Sequence, residues 1–365
     1  MKLCLVFSVP SLYREQIYKM IDKEYDCDWY FYDMNSNIKG FDIRDLKNTH
    51  TSTYFNIGPF YWVKGLIPLL FKGYDRYFLL GATRNLSLAL FMLIKKILFP
   101  KKKVYYWTHG YYGKEKKYEL ALWKRPLFKM ADGIFCYGNH SRNLMIKDGF
   151  NPEKVFVIYN SLAYEKQLAL RNIISRSEVY YEHFNNSNPV LVMIGRLTMR
   201  KNLNMLIEAL SILKEQGSLY NIVLIGDGED RKALEELAFI KGVEEQVWFY
   251  GACYDEKTNA ELIYNADMCV VPGDIGLTAI HSMMFGCPCL THNYYPTQGP
   301  EFEAIKEGIT GSFYNEGNIN DLANALEAWF KQKKDRDSIR NACYNEIDTS
   351  WNPVNQINII KKHLI

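Results

Sequence analysis

Long apolar runs are missing from this sequence of 365 residues, and their absence argues against a membrane-spanning protein. The longest such segment, LSLALFMLIKKILF, is interrupted by Lys95 and Lys96 and is too short to span a bilayer. The amino-terminal stretch MKLCLVFSVPSLY contains too short an apolar run for a signal peptide. We therefore expect a cytoplasmic protein.

Clustered cysteines are missing, and the spacing of those present argues against two further classes of protein. The eight cysteines follow neither the spacing of metal ligands nor that of a disulfide scaffold, which indicates buried thiols in a reducing compartment. Only Cys287 and Cys289 lie close together, inside a predicted strand. The sequence also contains no H-E-x-x-H, P-loop, nucleophile-elbow or G-x-G-x-x-G motif.

Net charge is low, and a formal charge of +3 gives no argument for a nucleic-acid partner. Basic residues nevertheless crowd one stretch between Leu93 and Lys129, where they alternate with apolar and aromatic residues. They are Lys95, Lys96, Lys101, Lys102, Lys103, Lys114, Lys116, Lys117, Lys124, Arg125 and Lys129. Such a patch suits an anionic membrane surface or a phosphate-bearing substrate, and a solvated basic face is the alternative.

Short strand-like apolar runs alternate with helical patterns along the whole chain. We predict strands in KLCLVFSV, WYFYDM, RYFLLG, KVYYWTHG, GIFCYG, KVFVIYNS, PVLVMIG, YNIVLIGDG, QVWFYG, MCVVPG and PCLTHN. Alternation of this kind predicts parallel sheets with crossover helices. The sequence therefore predicts an α/β protein with two doubly wound, Rossmann-like domains that face a cleft. They cover residues 1–170 and 188–345, with a linker in the polar region 168–188.

The segment GRLTMRKN follows a predicted strand and begins a helix. It places Arg196 and Lys201 at the carboxyl end of that strand, where ligands of doubly wound folds bind. Arginine can bind a phosphate through two parallel hydrogen bonds, and lysine adds a point charge. A solvated basic loop is the alternative interpretation.

A glycine-rich turn from Pro272 to Thr278 follows the strand MCVV, and His281 lies about one turn into the next helix. Free backbone amides at such a turn, and glycines that permit close approach, suit an anion. A diphosphate bound by this turn together with Arg196 and Lys201 needs no metal ion. The segment IVLIGDGED forms a similar strand, turn and helix, although such glycines often serve the turn alone.

Two further groups come from the first half of the chain. His109 follows a strand in YYWTHGYYG, and its loop position beside Gly110 favours a ligand contact over a purely structural role. Asp26 and Asp28 match an Asp-x-Asp metal pair superficially. They stand at the start of a strand, and we interpret them as structural.

Five segments occur here in the order in which they occur in one known family. They are VLVMIGRLTMRKNLNMLIEALSIL, NIVLIGDGED, VWFYGACYD, YNADMCVVPGDIGLTAIHSMMFGCPCLTHN and PEFEAIKEGITGSFY. Together they resemble the C-terminal half of retaining GT-B glycosyltransferases of family 4 (glycosyl transferases group 1). The first half resembles this family more loosely, through THG at His109 and ADGIFCYGNHSRNLM. Residues 346–365 resemble its terminal helix, which packs back on the first domain.

This resemblance implies a retaining transferase of the hexosyltransferase type. It would move a sugar from a nucleoside diphosphate to a hydroxyl of a glycan or lipid-linked glycan, without a metal cofactor, in bacterial surface polysaccharide synthesis. Arg196 and Lys201 match the pair that neutralises the leaving diphosphate, and His109 matches a histidine that faces the donor sugar. These three are the implied catalytic residues. The implied donor-binding residues are Gly195, Arg196, Lys201, Gly251, Ala252, Cys253, Gly273, Asp274, Ile275, Gly276, Leu277, Thr278 and His281.

The sequence departs from the family pattern at two positions. Members usually carry two glutamates eight positions apart around this turn, one facing the donor sugar and one binding the ribose. Gly273 and His281 occupy those positions here. Asp274 is a candidate replacement for the first carboxylate, whereas His281 offers a ribose hydroxyl only a single hydrogen bond.

Three functions are compatible with this pattern. A divergent active transferase is favoured because Arg196, Lys201 and His109 occur together. A catalytically inactive GT-B partner that recruits or stabilises a transferase is the main alternative, since both glutamates are missing. A nucleotide-sugar epimerase of the same fold is the third. Arg14 and Arg84, in early loops of the first domain, are candidate acceptor contacts.

Overall fold

The computed structural model describes residues 1–33, 39–115, 123–333 and 335–364, and the chain forms two compact units. The first contains Met1–Ala163 and Asn352–Ile365, and the second contains Tyr164–Trp351. The change of unit therefore falls before the predicted linker at 168–188. That polar region instead contributes helices to the second unit.

A seven-stranded parallel sheet forms the centre of the first unit. Its strands are β1 (Lys2–Phe7), β2 (Asp26–Phe31), β3 (Asn48–Thr51), β6 (Arg76–Leu80), β7 (Lys103–Thr108), β8 (Gly133–Cys136) and β9 (Val155–Val157). Between β3 and β6, the chain forms a separate antiparallel hairpin of β4 (Tyr54–Ile57) and β5 (Phe60–Val63). Their order is β3-β2-β1-β6-β7-β8-β9, so the chain winds outwards from β1 in both directions. The carboxyl ends of β1, β6, β7 and β8 consequently share one edge.

Helices of the first unit pack against this sheet in two apolar clusters. They are α1 (Glu15–Glu24), α2 (Leu86–Leu98), α3 (Arg125–Lys129) and α4 (Asn139–Lys147). Asn85 caps the amino terminus of helix α2, because its side chain accepts a hydrogen bond from the Leu88 amide at 3.1 Å. Its residues Phe91 and Met92 belong to one cluster, and Ile17 of α1 belongs to the other.

The carboxyl-terminal helix Pro353–His363 belongs to the first unit, whereas residues 346–351, the start of the predicted terminal segment, belong to the second. Its Ile357 and Ile360 are buried in the same cluster as α1. Gln356 fixes its position, because it donates to the Tyr159 carbonyl at 3.0 Å and accepts from the Ser161 hydroxyl at 2.7 Å.

The second unit contains a six-stranded parallel sheet in the order β12-β11-β10-β13-β14-β15. The strands are β10 (Val190–Ile194), β11 (Asn221–Ile225), β12 (Val247–Gly251), β13 (Met268–Val270), β14 (Cys289–His292) and β15 (Gly311–Tyr314). The helices are α5 (Tyr164–Arg171), α6 (Val179–Phe184), α7 (Leu203–Glu215), α8 (Arg231–Ile240), α9 (Glu256–Asn265), α10 (Thr278–Met284), α11 (Ile319–Lys331) and α12 (Arg336–Thr349). The predicted α/β class with two Rossmann-like domains is thus confirmed.

Side-chain contacts explain why residues 164–171 join the second unit. Arg171 forms an ion pair with Asp348 of α12 at 2.8 Å, and Tyr164 donates to the same carboxylate at 2.8 Å. Gln167 donates to Glu256 of α9, also at 2.8 Å. Because none of these partners is close in sequence, local pattern alone does not predict the early change of unit.

Short 3-10 helices of three to five residues connect several of these elements. They are Leu12–Arg14, Ile43–Asp45, Ile67–Phe71, Pro152–Lys154, Met199–Lys201, Glu244–Gln246, Tyr295–Thr297 and Pro300–Ala304. In the part of the chain that the structure describes, no helix combines the length and apolar content needed to cross a membrane.

Candidate functional site

A cavity of about 260 Å³ opens at the carboxyl ends of three neighbouring strands of the second unit. Its wall is formed by the residues that follow β10, β11 and β12. They are Ile194, Gly195, Arg196, Ile225, Gly226, Asp227, Ala252, Cys253 and Tyr254. Four predicted donor-binding residues therefore line one cavity, and Gly251 is joined to it because its carbonyl accepts from the Gly226 amide at 2.8 Å.

The two predicted phosphate-binding cations lie in different environments. Arg196 is exposed at the cavity and forms no ion pair with any residue that the structure describes. Lys201 is half-buried, and its Nζ donates to the carbonyls of Asp274 at 2.6 Å and Ile275 at 3.2 Å. Burial lowers the pKa of Lys201. Arg196 thus offers an uncompensated charge to a ligand, whereas Lys201 also holds the turn after β13.

Three amides of that turn are already bonded inside the protein. Gly273 donates to the Lys201 carbonyl at 2.8 Å, Asp274 donates to the Arg200 carbonyl at 3.0 Å, and Ile275 donates to the Gln298 side chain at 3.0 Å. The backbone then continues through Gly276 and Leu277 into α10, which begins at Thr278. The Thr278 hydroxyl donates to the Ile194 carbonyl at 2.9 Å, which joins the turn to the cavity wall.

The structure gives a physical reason for the missing first glutamate. A Cβ atom at Gly273 would lie 2.0 Å from the Arg200 carbonyl oxygen, so this close approach of two loops excludes a side chain. The carboxylate of Asp274 is bound by the Arg200 guanidinium and by the Gly299 amide at 2.9 Å. Asp274 therefore stabilises the turn.

His281 contacts a carboxylate that the sequence does not predict as part of the site. Its Nε2 lies 2.8 Å from Oε1 of Glu256, which also accepts from Gln167 at 2.8 Å. The only sequence signal for Glu256 is its place close behind the predicted strand QVWFYG. Gln298, which bonds Ile275, gives no such signal.

In the first unit, His109 lies exposed directly after β7. Its ring centroid is 4.7 Å from that of Tyr137 and 5.6 Å from that of Tyr112. Gly110 has φ +66°, and a Cβ there would lie 2.1 Å from the Ser141 hydroxyl. The loop can pack against the start of α4 only because this residue is glycine.

Arg14 shares Tyr137 with His109. The Arg14 guanidinium lies 5.3 Å from the ring centroids of Tyr13 and Trp107, and it donates to the Tyr137 hydroxyl. It forms no ion pair with any carboxylate within the described ranges. Arg84 is exposed in the loop after β6, where its carbonyl accepts from an amide of β5 at 3.0 Å.

The Asp-x-Asp pair has structural contacts. Asp28 is buried, accepts a hydrogen bond from the Tyr74 hydroxyl at 2.5 Å and forms an ion pair with Lys2 at 3.2 Å. Among the described residues, no group of three or more His, Cys, Asp or Glu side chains could hold a metal ion. Lys116 and Lys117 of the basic stretch lie outside the described residues.

Comparison with known proteins connects this geometry to a family. Residues 181–346 match the family model described as glycosyl transferases group 1. A Klebsiella pneumoniae protein, described as an uncharacterized 41.2 kDa protein in the cps region, is 24% identical over 252 residues, covering 66% of this chain and 64% of that protein. An uncharacterized glycosyltransferase of Methanocaldococcus jannaschii is 27% identical over 183 residues, covering 47% of this chain and 43% of that protein. The chain thus spans less than two thirds of the length of these curated relatives.

Solved structures are similar over the whole chain. The lipopolysaccharide outer core galactosyltransferase WaaB, in its apo form, gives a TM-score of 0.72 at 18% identity and covers 99% of both chains. Anabaena HepE in complex with UDP gives a TM-score of 0.73 at 18% identity, covering 100% of this chain and 99% of that chain. At this level of identity the likeness shows the fold, and it confirms the predicted GT-B class.

Proposed function

We propose, from the group 1 glycosyltransferase match over residues 181–346, that the chain is a retaining glycosyltransferase. It moves a sugar from a nucleoside diphosphate to a hydroxyl of a glycan or lipid-linked glycan in surface polysaccharide synthesis. The observation that carries the proposal is Arg196, a cation at a cavity beyond the strand ends that forms no ion pair with the residues the structure describes. The UDP bound to HepE and the name of WaaB, a lipopolysaccharide outer core galactosyltransferase, support the substrate classes.

The proposed mechanism depends on stabilising the leaving group. When the bond between sugar and diphosphate breaks, negative charge develops on the diphosphate and positive charge on the sugar. Arg196, Lys201 and the amides from Gly276 to Thr278 stabilise the diphosphate without a metal ion. The acceptor hydroxyl then attacks from the side that the diphosphate leaves, which retains the configuration, and its proton passes to an oxygen of the departing diphosphate. His109 donates a hydrogen bond to the donor sugar.

A panel of nucleoside diphosphate sugars tests this function. We expect one of them to raise the Tm of the protein and to be hydrolysed or transferred. Replacing Arg196 by alanine should lower kcat/KM by about 10²–10³, because a preorganised group at the developing charge is lost. Arg176→Ala is the matched control, since Arg176 is exposed and lies outside the cavity. Equal rates in both variants would place the diphosphate elsewhere.

An inactive partner protein is the alternative function, and it would follow from the loss of both carboxylates of the family pattern. Gly273 has no room for a carboxylate, and Asp274 is bound to Arg200 and Gly299. Binding of a nucleotide sugar without turnover, with every acceptor tried, would support this role. Interconversion of free nucleotide sugars would instead indicate an epimerase.

Arg14 supports an anionic acceptor. A half-buried guanidinium among aromatic rings, with no carboxylate partner in the described chain, is a favourable site for a phosphate or carboxylate. We assign Arg14, and Arg84 in the neighbouring loop, to an anionic group carried by the acceptor.

We further propose that the first unit binds an anionic membrane at the cytoplasmic face. The outward side of α2 is apolar, with Leu90, Leu93 and Ile97 exposed by 38%, 50% and 74%. Spacings of three and four residues place them on one side of the helix. Its inward side instead contains Lys95, paired with Asp132 at 2.8 Å. Helix α2 thus exposes apolar residues in addition to the apolar side, with Phe91 and Met92, that it buries against the sheet.

Basic residues surround the carboxyl end of this apolar surface. Lys72, Lys96 and Lys101 are exposed and form no ion pair within the described residues. A nearby cavity of about 650 Å³ is lined by Arg76 and the three lysines from 101 to 103, with Asp75 as its one carboxylate. Apolar side chains flanked by lysines match the interface of an anionic bilayer.

A further inference from the structure

Three helices of the second unit contribute to one polar cluster beside the candidate site. Oε1 of Glu256, in α9, accepts hydrogen bonds from Gln167 of α5 and lies 2.8 Å from Nε2 of His281 in α10. Both contacts end on the same oxygen. The Glu256 side chain remains 37% exposed, whereas that of His281 is only 15% exposed. The carboxylate is therefore fixed on one side and accessible to a ligand.

The cluster flanks the cavity at the end of β10 to β12. Glu256 begins α9, which directly follows the cavity residues Cys253 and Tyr254. His281 lies one turn after Thr278, whose hydroxyl is bonded to Ile194 of the cavity wall. The chain thus connects the cluster to the loop after β12, and the hydrogen bond of Thr278 connects α10 to the end of β10.

Glu256 has the properties of a hydrogen-bond acceptor for hydroxyl groups. Burial alone would raise the pKa of Glu256. The hydrogen bonds from His281, Gln167 and Asn259 lower it by more, so the pKa lies below the usual value for glutamate. An ionised carboxylate accepts through two oxygens and donates nothing. A pair of vicinal hydroxyls supplies the matching donors.

We propose that Glu256 binds the ribose hydroxyls of the nucleoside diphosphate, and that His281 and Gln167 are positioning residues for its carboxylate. This inference rests on the proposed function. Arg196 and Lys201 bind the diphosphate, and the cavity beside Ala252 holds the base. The ribose connects the diphosphate to the base. We place Glu256 beside the part of the cavity wall that lies between the diphosphate and the base. A purely structural alternative is that Glu256 only ties α5, α9 and α10 together.

A thermodynamic cycle separates these roles. The nucleoside diphosphate that binds the wild-type protein, chosen from UDP, GDP and ADP, is compared with its 2′-deoxy and 3′-deoxy forms by calorimetry. We expect at least one deoxy form to bind the wild type about tenfold more weakly, because a hydrogen bond to a charged group is lost. In Glu256→Gln the ratio of the Kd of the deoxy form to the Kd of the parent nucleotide should fall several-fold. A structural role would weaken all three ligands equally and leave the ratio unchanged.

Two further variants complete the test. Glu261→Gln, on the same helix, is the matched control and should keep the wild-type ratio. His281→Asn removes the contact to Oε1 and should lower the ratio even if Glu256→Gln fails to fold. An unchanged ratio in both His281→Asn and Glu256→Gln would overturn the inference and leave the proposed function intact. Failure of every nucleoside diphosphate to bind the wild type would overturn both.

Discussion

Gly273 is the residue at which the structure differs most sharply from the pattern that the sequence resembles. Because a Cβ there would lie 2.0 Å from the Arg200 carbonyl oxygen, the loops after β10 and β13 approach too closely for a side chain. The hydrogen bond from the Gly273 amide to Lys201 maintains this approach. A glutamate is thus excluded by backbone geometry at this position.

We expect Gly273→Ala to lower the free energy of unfolding by about 1–3 kcal/mol, since overpacking forces the two loops apart. Urea denaturation measures this loss. Gly73→Ala is the matched control, because a Cβ at Gly73 has no neighbour within 4 Å. Equal stability of the two variants would contradict the close approach.

The sequence predicts site residues that follow a local pattern, and it misses those whose place depends on contacts between distant residues. Arg196 was predictable because it closely follows a recognisable strand, and strand ends meet at one edge, whereas the resemblance to a family implied Gly195, Ala252 and Cys253. Glu256 was not, because its relation to the site depends on contacts with α5 and α10 that have no local signal.

Among the elements, all eleven predicted apolar runs contribute to strands, whereas the short strands β3, β4, β5 and β15 were not predicted. Strand β3 has the sequence NTHT, lies at the edge of its sheet and is largely exposed, so it carries no hydrophobic pattern. Helices α5 and α6 contain few buried residues. Their place in the second unit follows from ion pairs and hydrogen bonds to distant residues, which a sequence window cannot contain.

The carboxyl-terminal helix allows a test of one element. Ile360 is fully buried against α1, and Ile360→Ala should cost about 2–5 kcal/mol because it leaves a cavity. Val354→Ala on the same helix is the control, since Val354 is 45% exposed and should change stability little. Urea unfolding followed by tryptophan fluorescence measures both. A similar loss in the two variants would contradict the packing of this helix on the first unit.

At the scale of the whole molecule, the apolar side of α2 predicts binding to lipid vesicles. We expect sedimentation with phosphatidylglycerol-containing vesicles that decreases as salt increases, and none with phosphatidylcholine alone. Replacing Ile97 and Leu98 by serine should weaken binding about tenfold or more, because two exposed apolar side chains no longer enter the interface.

Phe239 and Ile240 provide the matched control for this experiment. They are exposed by 73% and 75% at the end of α8, but Glu235 and Glu236 are close to them in sequence. Their replacement by serine should leave vesicle binding unchanged. Equal effects of both double variants would contradict the proposed surface. A dimer that is lost only in the Ile97 and Leu98 variant, without vesicle binding, would assign this surface to a second copy of the chain.

Helix α2 runs from the loop of Arg84 to the basic residues near Phe99. With its outward side on lipid, the sheet beneath lies parallel to the bilayer, about 10 Å further from it. The carboxyl end of β7, which His109 directly follows, then faces along the plane of the headgroups. A lipid-anchored saccharide could arrive by lateral diffusion alone, and its anchor would stay in the bilayer throughout the encounter.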